Sequence, residues 1–308
     1  MNTSVKTGQI NGEITMHNEI SKLKIVMQSR QGKVRDIYDL GDTMLIVTSD
    51  RISAFDVVFP DPIPDKGKIL NAISVHFFTA TSSIVPNHFI SDKVEDYPAE
   101  LHPYKDYLAG RSMLVKKTRV IPFECIVRGY ISGSAWSEYK KTNTIGGMLI
   151  AEEMQESQKF AHPLFTPSTK VEDGHDENIS YREFMSRMDE KLAVYIKDKS
   201  LDLYNFAHEM LLKHGVIVAD TKFEFGAIGN QIMLIDEVLT PDSSRFWAIN
   251  DYEIGTSPKS YDKQFLRDYL SSSGWDKQPP APELPTEVIE RTREKYLAIL
   301  KIITGKEI

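Results

Sequence analysis

One stretch, VIVADTKFEFGAIGNQIMLIDEVL (Val216–Leu239), constrains this chain more than any other. It reads as two strands around a turn, yet Asp220, Lys222 and Glu224 occupy every second position of the first strand. Side chains alternate along a strand, so these three share a face. Thr221, Phe223 and Phe225 then face the other way, into core. With a three-residue loop Ile-Gly-Asn centred on Gly229, the register sets Lys222 opposite Asp236 and Glu224 opposite Leu234. Glu224 and Asp236 then lie diagonally, with Cα atoms roughly 7–8 Å apart. Carboxylates so placed can reach one Mg²⁺ at about 2.0–2.1 Å per oxygen, or flank two. The plain alternative is a solvated hairpin face with a Lys–Asp pair. Against it stand the apolar flanks Val216–Val218 and Met233–Ile235, and the following TPDSSRFW, which adds Asp242, Ser243 and Arg245. Charges beside buried strands need partners, and a metal–phosphate group would supply them.

The net charge of the 308 residues is −7, which argues against a general nucleic-acid binder with its usual basic face. It leaves room for small anions held by a few placed Lys and Arg. The single cysteine, Cys125, lies in the apolar run IPFECIVRG and reads as a buried thiol; it rules out an internal disulfide and fits a reducing compartment. No apolar run approaches the ~18–20 residues of a membrane span. The N-terminal MNTSVKTGQINGEITMHN has no hydrophobic signal core. The expectation is a soluble cytoplasmic protein with a loose polar tail and no membrane or nucleic-acid partner, its oligomeric state left open, a monomer included.

Along the chain, LKIVMQ (Leu23–Gln28) predicts a strand, and GKVRDIYDLGDTMLIVTSD a hairpin turning at Gly41. Ile69, Ile73, Phe77 and Ala80 have helical spacing. SMLVKKTRVIPFECIVRGYI returns to strand character, interrupted by Pro122. Ser180-x-x-Glu183 is a capping-box pattern that opens a helix striped with Phe184, Met188, Leu192 and Ile196. A second helix is expected over roughly 201–214, ending at Gly215. Two amphipathic helices close the chain, the last carrying Val288, Ile289, Thr292, Tyr296 and Ile299 on one side. The class is α+β. The predicted organisation is a tail over 1–20, a small antiparallel-sheet lobe over 21–121 and a larger α+β lobe over 122–308, with a cleft between the lobes.

Other polar groups have two readings each. Gly32, Lys33 and Arg35 enter a hairpin, where a Gly beside a Lys lets backbone N–H groups approach phosphates. An ordinary turn is the alternative, and no P-loop pattern is present. Lys116 and Lys117 point to opposite strand faces. Glu124 and Arg128 share parity and could form an internal ion pair. Alternatively Arg128, with its planar fork, and Gly133 and Ser134 could hold an anion. FTPSTKVEDGHDENIS is either a helix-entry loop or a segment that covers a substrate.

GKVRDIY, SDRISAFDV, IPFECIVRGYISGSAW, FTPSTKVEDGHDENIS, ADTKFEFG and IDEVLTPDSSRFW, in this order, closely resemble the SAICAR synthetase (phosphoribosylaminoimidazole-succinocarboxamide synthase) family in its longer form. The resemblance runs from about Ser29 to the last helix. Ser132 is a departure, where the family has Thr or Ala before Gly-Ser.

The resemblance implies an ATP-grasp-like fold, with a small lobe like a kinase N-lobe over a larger α+β lobe. It implies an ATP-dependent carbon–nitrogen ligase of de novo purine synthesis: ATP, L-aspartate and carboxyaminoimidazole ribonucleotide give the succinocarboxamide, ADP and phosphate. Carried over residue by residue, Gly32, Lys33 and Arg35 lie by the ATP phosphates, with Lys116 and Glu124 by the adenine and hinge. Glu224 and Asp236 hold Mg²⁺. Arg128, Ser134, Asp220, Asp242, Ser243 and Arg245 bind the imidazole ribonucleotide. Lys222 bridges phosphate and carboxylate, with Arg128 and Asp220 beside it as catalytic groups. The 166–180 loop, with Lys170 and Asp176, binds aspartate or closes the site. A small-molecule kinase of inositol-phosphate type, which also uses Asp-x-Lys and a later Asp, is the second reading. A non-catalytic nucleotide-binding module is the third, but it predicts loss of Lys33, Lys222, Glu224 or Asp236, and all are present.

Overall fold

The strand Val216–Ile228 runs for 13 residues and is the spine of an antiparallel sheet. In this computed structural model, which describes residues 3–170 and 177–308, its two halves have different partners. The first half pairs with Phe123–Tyr130 on one side and Ser244–Ala248 on the other. The second half pairs with Arg119–Val120 and Gln231–Ile235. Lys159–Phe165 and Ser168–Thr169 complete the sheet along Phe123–Tyr130. The chain divides into two units, and this sheet belongs to the one formed by Thr79–Asn87 and Arg119–Tyr261.

Phe223 and Phe225 are fully buried, as their parity requires. The helix Glu190–Leu212 packs on the sheet, and its Tyr204 hydroxyl donates to the Val218 carbonyl at 2.7 Å. Gly129 makes that approach feasible, since a Cβ there would sit 1.8 Å from the Tyr204 hydroxyl oxygen. The capping box holds, because the Ser180 side chain accepts from the Glu183 N–H. The helix boundaries differ from expectation. A short helix, Tyr181–Ser186, ends early because the Asp189 side chain accepts from the Leu192 N–H and starts a new one. That second helix runs unbroken to Leu212, since no Gly or Pro interrupts it.

The other unit comprises Met1–Phe78, His88–Thr118 and Asp262–Ile308. Its antiparallel sheet has the order Gln28–Gln31, Arg35–Asp39, Thr43–Thr48, Ser112–Lys116, Phe89–Ser91. The hairpin at Gly41 forms as predicted, with Asp39 accepting from the Gly41 N–H. The helix Lys66–Ala80 buries Ile69, Ile73 and Phe77. The first strand starts at Gln28, later than Leu23. Residues 3–21 form a helix where a loose tail was expected, and its Ile20 is fully buried beside Tyr38 and Leu45. The closing helices Gln264–Ser272 and Thr286–Thr304 were assigned to the larger lobe. They pack instead on Ile52, Phe59 and Ile63, through Leu266, Leu270, Val288 and Ile289. Amphipathic periodicity identifies a buried face and says nothing of which sheet covers it. Among the described residues, no helix is long and apolar enough to cross a membrane.

Adding one methyl group at Gly129 tests the helix–sheet contact. Gly129→Ala should lower the unfolding free energy by about 1–3 kcal/mol through overpacking. Tyr204→Phe on that background should restore part of the loss, as read by urea denaturation.

Candidate active site

The acid–base–acid row lies on one face of the spine strand. Asp220 and Glu224 are buried and Lys222 is partly so. The register sets Arg128 directly across from Asp220 on one side and Arg245 on the other. Both guanidinium groups turn onto it: Arg245 Nη1 lies 2.9 and 2.7 Å from the two carboxylate oxygens, and Arg128 Nη1 lies 3.5 Å from Oδ2. Ser132 donates to the same Oδ2 at 3.0 Å. Arg128 also donates to Thr166 Oγ1 at 3.0 Å and to Ser134 Oγ at 3.2 Å. Gly133, at φ +55°, lets the backbone pass close to Arg245, because a Cβ there would lie 2.3 Å from its Nη2. Burial lowers the Arg128 pKa, and Asp220 opposes that shift.

Two residues along the same face, the Lys222 ammonium donates to Glu124 Oε1 at 2.7 Å and to Glu224 Oε1 at 2.9 Å. Lys170 donates to the other oxygen of Glu224, and Ser168 donates to Glu124 Oε2 at 3.2 Å. Burial alone would lower the Lys222 pKa, but Glu224, Glu124 and Asp236 together hold it well above the ordinary lysine value. Burial would likewise raise Glu224, but Lys222 and Lys170 hold it well below the usual carboxylate range. Cys125, on the opposite parity, is fully enclosed, and burial pushes its thiol well up. It is an inert core group.

The hairpin register differs from the expected one. The turn has two residues, Gly229 and Asn230, between the paired Ile228 and Gln231. Gly229 takes φ +57°, as the first position of a type II′ turn requires. Glu224 therefore faces Ile235, and Lys222 pairs with Ile126 of a different strand. A one-residue slip moves every side chain of the partner to the other face. Asp236 escapes that rule because the strand ends at Ile235 and Asp236 adopts φ +68°, a left-handed conformation rare for a residue with a Cβ. It still acts electrostatically on Lys222. Strain of this kind, of order 1–3 kcal/mol, concentrates at functional positions.

Glu124 and Arg128 do not pair with each other; each finds its counter-charge on the spine strand. Ser243 supports the site through its backbone, accepting from the Lys222 N–H at 3.0 Å, and Asp242 donates its N–H to Thr240 Oγ1 at 3.2 Å. Asp176 lies outside the described residues. Ser132 was noted only as a departure from the family pattern, and Thr166 and Ser168 only as part of the 166–180 loop. The last two fall in a segment read as loop because it is dense in polar groups, yet it pairs along Phe123–Tyr130. Proline is compatible with such edge strands, and that was the available signal.

In the first unit, Gly32, Lys33 and Arg35 form the turn between Gln28–Gln31 and Arg35–Asp39. The Gly32 N–H donates to the Arg35 carbonyl at 2.7 Å, and a Cβ on Gly32 would meet that oxygen at the same distance. Lys33 pairs with Asp56 at 2.6 Å. Phe55 and Asp56, at φ +51° and +64°, make the two-residue turn joining Ser53–Ala54 to Val57–Val58. Lys116 ends its strand with an exposed side chain.

A family model described as SAICAR synthetase matches residues 28–282. The chain belongs to the SAICAR synthetase family. A phosphoribosylaminoimidazole-succinocarboxamide synthase of Thermodesulfovibrio yellowstonii is 51% identical over 285 residues, covering 92% of this chain and 98% of that protein. One from Elusimicrobium minutum is 53% identical over 276 residues, covering 89% and 94%. The structure of SAICAR synthase from Saccharomyces cerevisiae, complexed with SAICAR, superposes with a TM-score of 0.84 at 42% identity, covering 92% of this chain and 97% of that one. As a SAICAR synthetase, the chain is a ligase of the acid–amino acid type that uses ATP and aspartate in purine biosynthesis, and the kinase reading is not favoured.

The depressed Glu224 pKa has a measurable consequence. A carboxylate held below its unfolded value adds stability above that value, and the contribution is lost as pH falls through the folded one. The stability advantage of the wild type over Glu224→Gln should be full at neutral pH and shrink below about 4.5, the ordinary glutamate value. Chemical denaturation across that range would measure it.

Proposed function

We propose that the charged face of the spine strand is where this chain activates the carboxylate of carboxyaminoimidazole ribonucleotide for attack by L-aspartate. The observation that carries this is the Lys222 ammonium, fixed between Glu124 and Glu224 and two strand positions from Asp220, which two arginines flank. A free carboxylate resists amines, because its charge repels them and oxide is a poor leaving group. Its oxygen therefore attacks the γ-phosphorus of ATP and ADP leaves. The aspartate amine then attacks the acyl carbon, a proton is lost, and phosphate departs. Every reactant is anionic, so fixed cations and alignment supply the catalysis.

Despite burial, Glu224, Glu124 and Asp236 raise the Lys222 pKa above the ordinary lysine value, so its role is electrostatic and no step uses it as a base. Asp220 accepts from Arg128, Arg245 and Ser132, which makes it the group that orients the two arginines. Those arginines, with Ser134, Asp242 and Ser243, are assigned to the ribonucleotide. Gly32, Lys33, Arg35 and Lys116 are assigned to ATP. The hydrogen bond from Lys222 to Glu124 favours the phosphoryl-transfer centre over the adenine for Glu124. Lys170 and the segment through residue 180 are assigned to aspartate.

Glu224 and Asp236 are the residues that would hold Mg²⁺. Among the described residues no group of three or more His, Cys, Asp or Glu gathers as a metal site. Two hard carboxylates still suit an ion that takes its remaining ligands from water and phosphate. The buried Glu224, balanced here by two ammonium groups, has the charge such an ion needs. Bound there, Mg²⁺ would neutralise charge on the transferring phosphate. The ATP-grasp-like, kinase-lobe-like description and a cytoplasmic setting, which suits a single buried thiol, belong to this same proposal.

Omitting each substrate in turn tests the reaction. ADP release should need the ribonucleotide, and amide product should need aspartate as well. Equal ADP formation without aspartate and no amide at all would sink the ligase assignment for this site. Asp236→Asn should reduce magnesium-dependent turnover by roughly two or more orders of magnitude with little change in thermal unfolding, while near-normal turnover would remove it as a ligand.

A further inference from the structure

The helix Thr3–Ser21 precedes the segment that the family model matches, yet its Glu13 is buried in the first unit. Glu13 Oε1 accepts from the Asp50 N–H at 3.0 Å and from Arg111 Nη1 at 3.0 Å. Its Oε2 lies 3.8 Å from Arg51 Nη1. Arg51 is itself buried and donates to Asp36 Oδ1 at 2.6 Å, to the Gly32 carbonyl at 3.2 Å and to the Lys33 carbonyl at 3.3 Å. Ser49 holds the next carbonyl, that of Val34, from both its N–H and its hydroxyl at 2.9 Å. Three successive carbonyls of one turn are thus drawn toward the segment Ser49–Arg51.

A trans peptide unit points its N–H opposite to its C=O. Drawing the carbonyls of Gly32 and Lys33 toward Arg51 therefore aims the N–H groups of Lys33 and Val34 away from it. Successive N–H groups presented on one side of a turn suit an anion. A guanidinium can grip two carbonyls at once because its donors form a rigid fork, which a lysine lacks. An arginine buried this deeply also needs counter-charge, which Asp36 and Glu13 supply.

We propose that Glu13 and Arg51 are positioning residues for the Gly32–Arg35 turn. The N-terminal helix, through Glu13, holds Arg51 in the geometry that presents the turn's N–H groups to the phosphates of a nucleoside triphosphate. The inference rests on the assignment of that turn to ATP, and it adds that a residue outside the matched family segment sets the nucleotide affinity. Neither side chain touches substrate; both act through the backbone of Gly32 and Lys33.

The test compares Michaelis constants in the full-length chain. Glu13→Gln and Arg51→Lys should each raise KM for ATP about five- to tenfold, the net worth of an ordinary hydrogen bond, with KM for aspartate unchanged. Because the two act in series, the double variant should be little worse than the worse single one. Gly32→Ala, whose Cβ would meet the Arg35 carbonyl oxygen at 2.7 Å and so reshape the turn itself, separates the two levels. If it leaves KM for ATP unchanged, the assignment of the turn to ATP fails. If it raises KM while Glu13→Gln and Arg51→Lys only lower the melting temperature, or shift both Michaelis constants alike, the positioning role is overturned. Should Glu13→Gln fail to fold, Arg51→Lys alone decides by the same criterion.

Discussion

Burying an unpaired charge costs several kcal/mol, and this chain buries a row of them on its central strand. That constraint organises the second unit. Asp220 needs two arginines, so one must come from each neighbouring strand, and the antiparallel register supplies Arg128 and Arg245. Lys222 needs carboxylates, and Glu124 and Glu224 provide them. The apolar face of the same strand packs Phe223 and Phe225 under the long helix. The strand can be both core and site because its two faces are chemically independent.

The spine strand changes partners within the charged row. Thr221 still pairs with Ser244, whereas Glu224 pairs with Ile235, so Lys222 stands at the junction. At that junction the chain leaves the sheet through Asp236 and Leu239, both with positive φ. A half-satisfied buried network is costly in a resting protein, and removing one partner of such a pair typically costs 3–5 kcal/mol. In an enzyme for anionic substrates the same groups are already arranged where charge will arrive.

Much of this was legible in the residues. The parity of Asp220, Lys222 and Glu224 gave the polar face, and that of Phe223 and Phe225 the core. The helical stripe of Val288, Ile289, Thr292, Tyr296 and Ile299 is buried as its spacing requires. Turn length was the weak point: a two-residue turn at Gly229 shifted the register by one, and Asp236, left-handed just past the strand, still acts electrostatically on Lys222. A dense run of polar residues hid the strand segments that deliver Thr166 and Ser168. Polar composition hid the N-terminal helix, whose anchoring through Glu13 depends on Arg51 and Arg111 from distant sequence. Local pattern reports faces and caps; it does not report which distant arginine will meet a given acid.

Lys222 is proposed to supply the fixed positive charge for carboxylate activation. Its most direct test is the turnover number of Lys222→Met, which keeps the length of the side chain and removes the ammonium. A fall of about a hundredfold or more in kcat is expected, with the cooperative unfolding transition retained. A folded Lys222→Met chain that ligates aspartate at the wild-type rate would contradict it.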